Sequence, residues 1–82
     1  MPTVLRFGGL RVVVYLNDHR PAHVHVIGNN HEAVFELDRP LGSVTLRENY
    51  GFTKREIASI KKALIRNLDA LLEAWERIHG TA

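Results

Sequence analysis

His23-Val24-His25-Val26-Ile27-Gly28-Asn29-Asn30-His31-Glu32-Ala33-Val34-Phe35-Glu36-Leu37 is the stretch that decides the fold. Two runs of period-two alternation flank a Gly-Asn-Asn centre. Strand side chains alternate between faces. The first run therefore sets His23, His25 and Ile27 against Val24 and Val26. The second sets Ala33, Phe35 and Leu37 against Glu32, Val34 and Glu36. Glycine and asparagine tolerate the positive φ of a tight hairpin turn. The spacing predicts antiparallel strands over about His23–Gly28 and His31–Asp38.

Upstream, Leu10 to Leu16 forms another strand, with Val12, Val14 and Leu16 on one face and Arg11, Val13 and Tyr15 on the other. Both faces are largely apolar, the mark of a central strand. Asn17-Asp18-His19-Arg20-Pro21-Ala22 is the turn that joins it to His23. Met1-Pro2-Thr3-Val4-Leu5-Arg6-Phe7 suits a short edge strand, because proline is tolerated at a strand start. Gly8-Gly9 marks a tight turn. An N-terminal proline could act as a nucleophilic amine, as in small tautomerases, but their βαβ plan is missing.

Downstream, Arg39-Pro40-Leu41-Gly42 interrupts the pattern. Ser43 to Arg47 reads as a short fifth strand with Val44 and Leu46 inward, and Glu48-Asn49-Tyr50-Gly51 as a loop. Phe52-Thr53-Lys54-Arg55-Glu56-Ile57 carries a capping box, Thr53 with Glu56, and a hydrophobic staple, Phe52 with Ile57. The apolar positions that follow, Ile57, Ile60, Leu64, Leu68, Leu71, Trp75 and Ile78, lie on one helical face. Gly80 ends the helix.

Unbroken, that helix would be about 39 Å long at 1.5 Å per residue. A domain of this size has a radius of gyration of only about 12 Å. Either the helix bends near Asn67-Leu68-Asp69, or a second chain covers the overhang, as in a homodimer through the C-terminal helix. The expected fold is α+β: one domain over residues 1–82, with an antiparallel meander of four or five strands and a long or kinked C-terminal helix on one face.

Composition narrows the chemistry. The chain has no cysteine, which removes disulfides, thiolate ligands and thiol nucleophiles together. No apolar run approaches a membrane span, and the N-terminus lacks a signal-peptide plan, so a cytoplasmic location is expected. The net charge of +2 is small. Lys54, Arg55, Lys61, Lys62 and Arg66 nevertheless cluster, opposed locally by Glu56 alone. Such a patch either meets phosphate or is simply a solvated helix face.

The segment from Asn17 to His25 holds three of the five histidines. His19, His23 and His25 could hold a divalent metal with Asp18 or Glu32, although the spacing matches no common structural zinc pattern. Acid–base chemistry needs no metal. An imidazole pair beside Arg20 and Arg6 could engage a phosphodiester, one ring taking a proton and the other giving one, as a metal-independent ribonuclease requires. Glu32 could orient one ring if the strand registers match. The third reading is an interaction module in which the histidines are structural. Trp75 on the apolar helix face reads as core, His31 as a turn residue and His79 as a helix end.

His23-Val24-His25-Val26-Ile27 is similar to the alternating motif of the histidine-triad nucleotide hydrolases, but Pro21 stands where their first histidine would be. A broader resemblance covers nearly the whole chain. Met1 to Phe7, Tyr15-Leu16-Asn17-Asp18-His19-Arg20-Pro21-Ala22-His23-Val24-His25, Glu32-Ala33-Val34-Phe35-Glu36-Leu37 and Leu71-Leu72-Glu73-Ala74-Trp75 resemble a family of small prokaryotic proteins of unknown function. That family carries an N-D-H-x-P-P-H-F-H-like segment, from which Ala22 and Val24 depart. The resemblance implies a gene pair of toxin–antitoxin type, with a cognate small protein encoded nearby and the toxin role favoured. It supplies no catalytic residues.

Overall fold

The computed structural model describes residues 3–15, 21–38 and 42–80. Five antiparallel strands run in sequence order across one open sheet. They are β1 (Thr3–Phe7), β2 (Leu10–Val13), β3 (His23–Gly28), β4 (His31–Asp38) and β5 (Ser43–Tyr50). Two helices follow, α1 (Lys54–Arg66) and α2 (Leu68–His79). The architecture is the expected α+β meander. The Asn17–Arg20 turn tip and the Arg39–Leu41 break lie outside the described residues, as does Pro2.

Local chemistry accounts for the hairpins. Asn29 and Asn30 take φ of 53° and 63°, the two positive values of a type I′ turn, and Gly28 pairs with His31 across it. The right-handed twist of this turn matches that of the strands. At the other end of β4–β5, Gly51 has φ of 111°, and an added Cβ would run into the His31 ring. Only glycine fits there.

The helical layer covers the sheet face that carries Val12, Val24, Val26, Phe35 and Val44. Ile60, Leu64, Leu68, Leu71 and Trp75 fill it from the other side. These five positions of the apolar helix face are buried within their own chain, and the other two, Ile57 and Ile78, are partly buried against the same core. The overhang is settled by a break at Asn67, whose side-chain amide donates to the Ala63 carbonyl at 2.8 Å. The radius of gyration is 11.7 Å.

The capping box forms as expected. Glu56 N–H donates to Thr53 Oγ1 at 3.1 Å, and Thr53 N–H to Glu56 Oε1 at 2.8 Å. A T53A variant should lose about 1 kcal/mol of stability, measured by urea denaturation.

Two expectations are corrected. Glu48-Asn49-Tyr50 is strand rather than loop, so β5 is eight residues long. Its pairing with β4 is interrupted by a bulge: Phe35 pairs with Leu46 and Val34 with Glu48, leaving Arg47 as the extra residue. The alternation that would have marked the strand is broken at that point. Leu46 faces the helix side but is 38% exposed, because β5 is an edge strand. β2 also ends at Val13, short of the expected Leu16, which lies outside the described residues.

Candidate functional site

The second face of the sheet carries the polar chemistry. Antiparallel register places Arg11, Ile27, Glu32 and Tyr50 in one cross-strand row. Val13, His25, Val34 and Glu48 form the next, and His23, Glu36 and Thr45 a third. Val13 and Val34 are buried even here, so this face has an apolar floor beneath its charged groups.

His23 and His25 lie side by side, with ring centroids 5.3 Å apart. His23 Nδ1 is 2.9 Å from the Pro21 carbonyl, and His25 Nδ1 is 3.1 Å from Glu32 Oε2. Carbonyl and carboxylate oxygens accept only, so each Nδ1 carries the proton. In the neutral ring the basic lone pair then falls on Nε2. A fixed tautomer on each of two adjacent imidazoles is what proton transfer or metal ligation requires.

Register corrects one detail. Glu32 pairs with Ile27 rather than with a histidine, and Glu36 stands opposite His23. The Glu32 carboxylate reaches His25 along the diagonal, within range of a long side chain. Glu36 is taken by Arg47 instead, at 3.8 Å.

Three further rings complete the cluster. Tyr15 meets His25 edge-on at 4.2 Å, Trp75 lies 5.2 Å from His23, and His79 packs on Trp75 at 4.1 Å. The result is a continuous line of rings from Tyr15 through His25, His23 and Trp75 to His79. Trp75 is core, as its position on the apolar face indicates, and it is also a wall of the histidine site. His79 is the last residue of α2. Neither role has a local sequence signal, because the contacts join strand and helix. Trp75 Nε1 and His79 Nε2 are buried without hydrogen-bond partners among the described residues.

Residues 9–76 match the model of a domain of unknown function, DUF4160. The chain belongs to the DUF4160 family. No curated protein and no solved structure matches it. The matched span takes in Tyr15, His23, His25, Glu32 and Trp75, whereas His79 follows it.

The remaining candidate residues of this DUF4160 chain are dispersed. His19 and Arg20 lie outside the described residues, as does Asp18. Arg6 is exposed on β1 opposite Arg11, which puts it on the same face as His25 and Glu32. Lys54, Arg55, Lys61 and Lys62 are exposed on α1, on the helix side of the sheet. The sheet separates them from Glu32 and His25. Among the described residues no three His, Asp or Glu side chains converge as metal ligands. Tyr50 borders the site row, and the neighbouring Glu48 carboxylate raises its phenol above the usual range. No helix among the described residues is long and apolar enough to cross a membrane.

Proposed function

We propose that this chain is the toxin-like member of a toxin–antitoxin-like pair and that it cleaves RNA by acid–base catalysis without a metal. The observation carrying this reading is the adjacent imidazole pair with both Nδ1 atoms fixed, one by a carboxylate. His25 is the general base. Its Nε2 takes the proton of a ribose 2′-hydroxyl, and Glu32 offsets the imidazolium charge that develops. The 2′-oxygen attacks phosphorus and the P–O5′ bond breaks. His23, entering as the imidazolium, gives its Nε2 proton to the departing 5′-oxygen. The products are a 2′,3′-cyclic phosphate and a 5′-hydroxyl. Arg6 and Arg11 on the same face would serve as the RNA's phosphate contacts. The sequence neighbours His19 and Arg20 belong to this reading as a third imidazole and a phosphate anchor. The lysines and Arg55 of α1 would serve a more distant stretch of the same strand.

Purified protein incubated with a single-stranded RNA in EDTA tests the proposal. Chain cleavage to cyclic-phosphate ends is expected. The E32Q variant should be slower by about a hundredfold, the lower end of what one positioned acid or base contributes. Intact RNA after exhaustive incubation, with growth undisturbed on expression, would refute the reading.

A second reading is supported by a different observation. Leu46, Tyr50 and Ile65 are the exposed large hydrophobics among the described residues, and they concentrate on β5 and the helix beside it. A non-catalytic interaction module would use that edge.

A further inference from the structure

The two edges of the sheet are unequal. Both edge strands carry a register irregularity, but β1 has only five residues. β5 has eight residues with neither proline nor lysine. Short length, proline, charged side chains and bulges are the common devices that keep an edge from pairing with another strand; β5 has the bulge and two charges, Arg47 and Glu48, of opposite sign. β5 also carries Leu46 and Tyr50, at 38% and 61% exposure, and Ile65 at 45% stands on α1, which lies against it.

The charge order on β5 points to its occupant. Arg47 and Glu48 are adjacent in sequence. In a regular strand adjacent side chains point to opposite faces, so a twofold pairing could not set one against the other. The bulge removes that restriction. Glu48 pairs with Val34 on the outer face, and Arg47 reaches Glu36 on that same face. Thr45 and Tyr50 also lie on it, opposite Glu36 and Glu32, whereas Leu46 and Asn49 lie on the helix side, opposite Phe35 and Ala33. One antiparallel register therefore satisfies every face at once. It sets Arg47 against Glu48, Thr45 against Tyr50 and Leu46 against Asn49, each pair occurring twice about the axis.

We propose that β5 is a dimerisation edge, at which a second copy of this chain adds its own β5 in that register to make a continuous ten-stranded sheet. Both helical layers then fall on one side, with Leu46 of each copy near the axis. Two Arg–Glu pairs fix the register, and the apolar residues supply the burial. β4 lies between β5 and the imidazole pair, and association is read by mass rather than by RNA cleavage, so loss of dimerisation and loss of cleavage are distinguished.

Sedimentation equilibrium from micromolar to submillimolar protein tests it. A species of twice the 9.3 kDa chain mass is expected. R47E and E48R each create two like-charge contacts and should weaken association about tenfold, and the R47E/E48R exchange should restore it. Because the chain has no cysteine, a T45C/Y50C variant reports register directly. It should form a covalent dimer on mild oxidation, whereas T45C alone should not, and this arm stands even if a charge variant misfolds. A wild-type chain that stays at 9.3 kDa throughout would overturn the proposal. So would a dimer indifferent to R47E and E48R, failure of T45C/Y50C to cross-link, or association that occurs only with a different protein.

Discussion

A variant carrying both H23A and H25A is expected to lose RNA cleavage by at least about a thousandfold, because each positioned proton-transfer group contributes roughly 10²–10⁴ in rate. Growth inhibition on expression should vanish with it. The two substitutions differ in structural cost. The His25 side chain is 13% exposed and bonded to a carboxylate that is itself 39% exposed, so H25A leaves Glu32 able to turn to water. His23 is 6% exposed and packed on Trp75, so H23A opens space against the core. The H25A single variant is therefore the cleaner probe. It should keep its melting temperature within a few degrees of wild type while losing most of the activity. Full cleavage or full growth inhibition by the folded double variant would end the acid–base account.

The second large effect concerns stability. Trp75 is 1% exposed and is among the largest fully buried side chains. Its truncation in W75A should cost about 3–5 kcal/mol, through lost transfer energy and the cavity left behind. A domain this small has only about 5–15 kcal/mol in total, so W75A should be partly unfolded at physiological temperature. Urea denaturation followed by circular dichroism measures this. Fluorescence cannot, since Trp75 is the single tryptophan. W75F gives the contrast. The indole Nε1 has no hydrogen-bond partner among the described residues, so phenylalanine forfeits volume but no hydrogen bond. Its cost should be well under half that of W75A. An equal cost for both variants would show that the indole nitrogen has a partner in solution.

Trp75 also marks the boundary of what a linear reading reaches. Its membership of the apolar helix face is written in the spacing from Ile57 onward. Its contact with His23 is not, because no local pattern relates a strand residue to a helix far along the chain. The same holds for His79, which reads as a helix end and is found stacked on the indole. The link between Glu32 and His25 lies between these cases. Alternation places both on one face, but only the register decides that the carboxylate arrives diagonally from opposite Ile27. In the linear reading the metal and RNA roles of His19, His23, His25 and Arg20 rest on residue type alone; the structure adds the adjacency of His23 and His25, and His19 and Arg20 fall outside the described residues.

What the amino-acid sequence determined by itself is everything governed by neighbours a few residues apart. The Asn29-Asn30 turn follows from backbone tolerance of positive φ, the Thr53–Glu56 box from orphan amides at a helix start, and the one-sided strands from period-two burial. The helix break at Asn67 was one of two outcomes the sequence left open, since an unbroken rod would outrun the domain unless a second chain covered it. Tertiary structure alone decided the length of β5 and the bulge at Arg47, where pairing with β4 overrides a weak local pattern. It also decided which rings meet. Those contacts depend on how sheet and helices settle against each other to fill one core, and that packing free energy is a sum over residues distant in the chain.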